Sequence, residues 1–163
     1  MEPSENFFLS AGEVETGIVD AVKKALAERG YRGEVLTAWD AAPEADRTRE
    51  CVTVAVGDVA PEGDQYATAD VTVYIQTSVG TDPRRSRIRE LRDLVRGVTA
   101  PRRSLLGEEI PPVASPEGFA VDGVSDFTRG GIELLSGENG EWYVCADRGT
   151  WHLSMYITNK TNR

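Results

Sequence analysis

Two runs of the sequence have a period of two: CVTVAVGDV, residues 51–59, and DVTVYIQTSV, residues 70–79. Val52, Val54 and Val56 alternate with Thr53 and Ala55, and Val71, Val73 and Ile75 alternate with Thr72, Tyr74 and Gln76. That pattern puts branched apolar side chains on one face and smaller or polar ones on the other, as a half-buried strand requires. The connecting run GDVAPEGDQYATA is too long for a tight turn and rich in acid. A hairpin with an extended tip is therefore expected, the tip carrying Asp58, Glu62 and Asp64.

Helical periods stand on either side. Ser10 and Glu13 have capping-box spacing, with Leu9 and Val14 placed for a hydrophobic staple. Val14, Ile18, Val22 and Leu26 then form one stripe, and Gly30 is placed to stop the helix. The spacing predicts a first helix over about 11–29. A short strand is expected in EVLTAWDA. After the hairpin, Asp82 as N-cap and Pro83 at the first helical position open a second helix, with Ile88, Leu91, Val95 and Val98 as its core face and Gly97 near its end. From Thr99 to Gly118 the chain holds four prolines and no clear period, and reads as a long surface loop. FAVDGVSDFT, GIELLS, EWYVCA and TWHLSMYIT read as strands, with SGENGE as a turn and Trp151, Leu153, Met155 and Ile157 on one face. Runs of adjacent strands with two flanking helices predict an α+β domain with a largely antiparallel sheet, one domain over 1–163 with an N-terminal arm at 1–10.

The totals narrow the partners. A chain of 163 residues has length enough for a core without disulfides or metals. Its formal net charge of −9 opposes general affinity for DNA or an anionic membrane. Cys51 and Cys145 each lie inside an apolar run and read as buried thiols in a reducing cytoplasm. MEPSENFFLSAGE lacks the features of a signal peptide, and no stretch approaches the roughly 20 apolar residues of a membrane span. The sequon at Asn159 is then a chance match.

Few residues suggest chemistry. His152 is the single histidine, on an alternating strand, and reads as structural. No nucleophile-base set and no cluster of metal ligands follows from spacing, so no catalytic, metal or cofactor residue is assigned. Gly130, Gly131 and SGENGE lack the strand-to-helix setting of a phosphate loop and fit hairpin turns. Glu108 and Glu109 in the proline-rich loop are most simply solvated.

Charge placement is more informative. Thr81 to Arg103 carries eight basic residues against three acidic ones, a local +5, which leaves −14 for the rest of the chain. On a helical wheel of roughly 100° per residue, Leu91, Leu94, Val95 and Val98 fall within roughly 240–360° of Ile88, whereas Arg85, Arg89, Arg92 and Arg96 fall at roughly 40–100°. Four arginines thus line one edge, and their mutual repulsion calls for compensation from outside the helix. A solvated face is the simplest reading. An interface is the functional one, with carboxylates of a second protein as partners rather than DNA, because the surroundings are acidic and no aromatic platform is interleaved. The chain supplies such acids itself, so a head-to-tail ring of identical subunits is self-complementary.

The order of VETGIVDAVKKALAERGY, the hairpin CVTVAVGDV to ADVTVYIQTSV, the helix DPRRSRIRELRDLVRGV and closing strands ending in WHLSMYIT resembles the tail terminator, or tail completion, proteins of long-tailed bacteriophages. The resemblance spans most of the chain and rests on order and texture rather than a motif. It implies a structural virion protein without enzymatic activity, assembled in the host cytoplasm and located at the head-tail junction. As a hexameric ring it would cap the tail tube, end its polymerisation and dock to the neck, with genomic DNA passing through unbound. Self, the tail-tube protein and the neck protein are the implied partners. Interface candidates are the four arginines, the acids of the hairpin tip and an N-terminal anchor at Phe7 and Phe8. A head-closure, neck or tail-tube protein of the same machine is the nearer alternative, and a soluble α+β enzyme or ligand-binding domain the farther one.

Overall fold

The computed structural model describes residues 9–37, 50–81, 84–138 and 140–155. Along the chain lie α1 (Ala11–Glu28), β1 (Glu34–Thr37), β2 (Cys51–Pro61), β3 (Tyr66–Ser78), α2 (Ser86–Thr99), β4 (Arg102–Arg103), β5 (Glu109–Ile110), β6 (Phe119–Thr128), β7 (Glu133–Gly137) and β8 (Gly140–Met155). The fold is α+β. Its main sheet has the order β1-β2-β3-β8-β6, with β7 pairing β8 beyond the end of β6, and β4 and β5 form a separate small hairpin. Only β1 and β2 run parallel; the other pairs are antiparallel.

α1 starts where its cap dictates. Ser10 Oγ accepts from Glu13 N at 3.1 Å while Ser10 N donates to Glu13 Oε1 at 3.0 Å, so two otherwise unpaired donors are satisfied reciprocally. It stops as Gly30 allows. With φ at +93°, Gly30 lets its own N–H reach Ala27 O and the Tyr31 N–H reach Leu26 O, closing the last turn. Val14, Ile18, Val22 and Leu26 are fully buried against β1 and β2.

β3 shows why the helices share one face of the sheet. Its odd-numbered residues from Ala67 to Thr77 are buried, and its even-numbered residues from Tyr66 to Ser78 are at least partly exposed on the opposite face. α1 packs on β1 and β2, α2 on β3 and β8, and the two helices touch.

One buried carboxylate ties α1 to the sheet. Glu15 is 1% exposed, and its Oε2 accepts from Val56 N at 2.7 Å where the β2–β3 register shifts between Val56 and Val59. The side chain thus satisfies a donor beside the bulge. Glu15→Gln, which keeps an acceptor, is expected to cost little in urea unfolding. Glu15→Leu should cost about 1–3 kcal/mol by leaving the Val56 N–H unpaired; equal stability of the two variants would contradict that role.

Four expectations need correction. The tip between the long strands is short, because β2 continues to Pro61 and β3 begins at Tyr66. Ala67 and Ala69 belong to the strand, where their small side chains face Leu153 and Trp151 of β8 in register. α2 begins at Ser86 after a left-handed Arg85 with φ at 60°, whereas Asp82 and Pro83 lie outside the described residues. It runs past Gly97, which is exposed, because Val98 and Thr99 are buried and Thr99 Oγ1 bonds Val95 O at 2.9 Å. EWYVCA and TWHLSM are one 16-residue strand, held by unbroken pairing with β3 from Trp142 to Ser154; Ile157 lies outside the described residues. The proline-rich segment carries the β4–β5 hairpin and is pinned to the core by buried Ala114, whose N–H donates to Val98 O at 2.9 Å.

Candidate functional site

α2 is anchored by its apolar arc: Ile88, Leu91, Val95 and Val98 are all fully buried. That fixes where the arginine edge points, and its four members meet different fates.

Arg96 is consumed inside the fold. Its Nε donates to Asp147 Oδ2 and its Nη2 to Asp147 Oδ1, both at 2.8 Å, and Nη2 also donates to Gly130 O at 2.8 Å. Asp147 is 1% exposed and accepts a further bond from Gly130 N at 3.1 Å. The fork geometry of guanidinium on carboxylate makes this a charge-assisted pair. Hydrogen bonding to Asp147 raises the Arg96 pKa further above its ordinary value, against the opposing effect of burial. Cys145 closes the cluster by donating to Gly130 O at 3.2 Å. Burial, then the nearby Asp147 charge, pushes this thiol up from its ordinary value. Arg96 is therefore a tether between α2, β8 and the turn before β7, not a free interface cation.

Arg85 lies over the Tyr143 ring, with Cζ 5.3 Å from the centroid, a cation–π geometry. Arg92 is three-quarters buried, and its Nε stands 3.6 Å from Asp93 Oδ1, too long for a hydrogen bond. Arg89 is exposed and has no ion-pair or hydrogen-bond partner for its side chain among the described residues. The edge available to a partner is thus Arg85 and Arg89, with Arg92 behind them. It continues onto β7, where half-exposed Leu134 pairs in register with Tyr143.

Arg87 stands outside this edge. It grips Glu50 with Nε at 2.6 Å and Nη2 at 2.8 Å and reaches Glu90 with Nη1 at 2.6 Å. The bonds to Glu50 lead in raising its pKa above the ordinary arginine value.

The expected acids lie elsewhere. Asp58 is exposed in β2 beside the bulge, and Glu62 and Asp64 are exposed in the turn before β3. Arg85 and Arg96 sit by Tyr143 and Asp147, opposite Thr77 and Val73 of β3, whereas the turn precedes Tyr66. β3 has 13 residues, about 40 Å at about 3.3 Å per residue, so the basic edge and the acidic turn occupy different ends of it. The structure does not join them within one protomer. Phe7 and Phe8 lie outside the described residues.

Cys51 and Cys145 are buried thiols. His152 Nε2 is 2.8 Å from Ser125 Oγ across the β6–β8 pair. No group of three or more His, Cys, Asp or Glu among the described residues could hold a metal ion. Among the described residues no helix is long and apolar enough to cross a membrane. In comparisons with known proteins, no family model and no curated protein matches the chain.

Sequence reading missed Asp147. Its signal was the alternation Tyr143, Cys145, Asp147, Gly149, Trp151, which places it on the buried face once β8 is read as a single strand.

Proposed function

We propose that the protein is a structural subunit of a long-tailed phage particle, assembling head to tail into a ring, hexameric by the family resemblance, on the head-proximal end of the tail tube. There it would end tube polymerisation and offer the neck a docking surface, with no reaction involved.

The observation that carries this reading is the separation of charge along β3: Arg85 and Arg89 beside one end, and Asp58, Glu62 and Asp64 toward the other. A contact between unlike ends of neighbouring copies uses both sets at once and forms a ring when the rotation closes. Exposed ion pairs contribute at most about 1 kcal/mol each. Their role is to set register and reject wrong partners, while burial of at least about 1,000 Å² supplies affinity. The −14 charge outside the basic segment would keep passing DNA from adhering.

Reversal of Arg85 and Arg89 to glutamate is the direct test. Native mass spectrometry should show loss of the wild-type ring, with circular dichroism unchanged. A second set of changes, Asp58, Glu62 and Asp64 to arginine in the same chain, should restore assembly. Unchanged assembly of the double variant, or a wild type monomeric at every concentration, counts against the reading. Imaging of an assembled particle separates terminator from neck or tube by the rings on either side.

A further inference from the structure

The β4–β5 hairpin presents Leu105 at 107% and Leu106 at 88% of full exposure. A scattered exposed leucine is ordinary; this pair sits on a tip built to hold it. Ser104 N donates to Glu108 O at 2.8 Å and Gly107 N to Ser104 O at 3.0 Å. Ser104 Oγ accepts from Leu106 N at 3.2 Å and Glu108 N at 3.1 Å, and Arg103 Nη1 donates to Gly107 O at 3.0 Å. Gly107 supplies the left-handed residue the turn needs, with φ at +85°. The loop is ordered by its own bonds, so a partner gripping the leucines has little left to immobilise.

Charge selects the partner. Arg102 and Arg103 on the ascending leg bond only carbonyl oxygens, Arg102 to Pro111 O and Arg103 to Gly107 O, and neither joins an ion pair among the described residues. Glu108 and Glu109 stand on the returning leg. At the start of α1 lies an open cleft whose apolar lining is half-buried Leu9 and Gly17 over a floor of Phe119, itself 1% exposed, with exposed Glu13, Asp20 and Glu117 on its rim. A bare Gly17 lets the Phe119 ring lie flush, since a Cβ there would stand 2.7 Å from it. The cleft thus offers an apolar lip at Leu9 and Gly17 and a negative rim to a tip that offers leucines and a basic leg. Within one protomer the two are apart: the hairpin stem lies against Val124–Arg129, and the cleft is at Phe119, at the opposite end of β6.

We propose that Leu105 and Leu106 of one copy insert into the α1 cleft of the next, with Arg102 and Arg103 facing Glu13, Asp20 and Glu117. The choice of a second copy as occupant rests on the ring reading above, and it adds a specific apolar anchor to a contact whose charges alone would be weak.

Cysteine cross-linking of the full chain tests it, because native Cys51 and Cys145 are buried and leave introduced thiols as the reactive ones. Leu106→Cys combined with Thr16→Cys, an exposed residue of the cleft, should give a ladder of disulfide-linked oligomers on oxidation, and neither single variant should. Leu105→Asp with Leu106→Asp should weaken association on the order of 100-fold in sedimentation, as loss of a central anchor does, with the monomer still folded by circular dichroism. A closed wild-type oligomer that yields no 106–16 link, or that the aspartates leave intact, overturns the insertion and leaves the ring reading standing. Links at 106–16 within open-ended chains uphold the insertion and overturn the ring. A wild type monomeric at every concentration overturns both.

Discussion

Asp147→Ala is expected to destabilise the protein by about 3–5 kcal/mol in urea or thermal unfolding, the cost of leaving a buried charge without its partner. The substitution strips Arg96 of both bidentate bonds and removes the acceptor of the Gly130 N–H. Arg96→Ala should cost a similar amount from the other side, since Asp147, 1% exposed, would keep only the Gly130 donor. Replacing both at once, Arg96→Met with Asp147→Leu, should cost far less than the two single losses together, because apolar groups of similar size owe no desolvation and the remaining cost is the Gly130 N–H left without its acceptor. The cycle thus separates the pair's net worth from the penalty of breaking it. A single Asp147→Ala loss below about 1 kcal/mol would mean that water enters to replace the partner.

Gly130→Ala should be nearly as damaging, at about 3 kcal/mol, the upper range of overpacking. A Cβ at this position would stand 2.0 Å from Ala146 O and 2.9 Å from Ala146 C. The obstacle is the backbone of β8, so no side-chain rotation relieves it. Its neighbour provides the control. A Cβ at Gly131 meets nothing within 4 Å, so Gly131→Ala should leave the thermal midpoint nearly unchanged or raise it slightly by restricting the unfolded chain. If the two variants unfold alike, the close approach of the turn to β8 is not what requires glycine at position 130.

Local signals carried α1 and the long hairpin. The Ser10–Glu13 box and Gly30 mark both ends of the first helix, because caps and stops are written within a few residues of each other. The valines of β2 and β3 reveal a buried face because the pleat repeats every two residues. Elsewhere the deciding partner is remote. Asp147, Arg148 and Gly149 look like a break between two strands, as acids and glycine weaken a strand taken alone. In the fold, Arg96 neutralises Asp147 from 51 residues away, and a Cβ on Gly149 would come 2.7 Å from Val124. The helix start was misplaced for a related reason: α2 begins with no side-chain cap at Arg85 and is held by its buried apolar arc.

The arginine edge was legible as a pattern but not as four roles. Wheel spacing puts Arg89, Arg92 and Arg96 together whatever surrounds the helix. Only packing assigns Arg96 to Asp147, stacks Arg85 on Tyr143 and leaves Arg89 open. The compensation demanded by like charges is met within the chain at Arg96 and, at longer range, at Arg92 beside Asp93, and Arg85 and Arg89 carry the interface proposal. Leu105 and Leu106 were hidden by their setting, since a proline-rich run with paired glutamates reads as solvated loop until its hydrogen bonds are seen.

The length of β8 bears on how the protein is made. β6 and β7 both precede it in the chain, and each has β8 as its strand partner in the main sheet. During synthesis from the amino terminus, α1 and the first hairpin emerge with partners at hand, whereas β6 and β7 must wait for Gly140–Met155. Domains generally fold as units as they leave the ribosome, and non-local strand pairing is slow because the chain between must first be closed into a loop. A nascent chain stalled before residue 140 would therefore expose the open edge of β3 and the unpaired β6 and β7 segments together, the kind of surface on which chains aggregate. Completion of that one strand pairs β3, β6 and β7 at once.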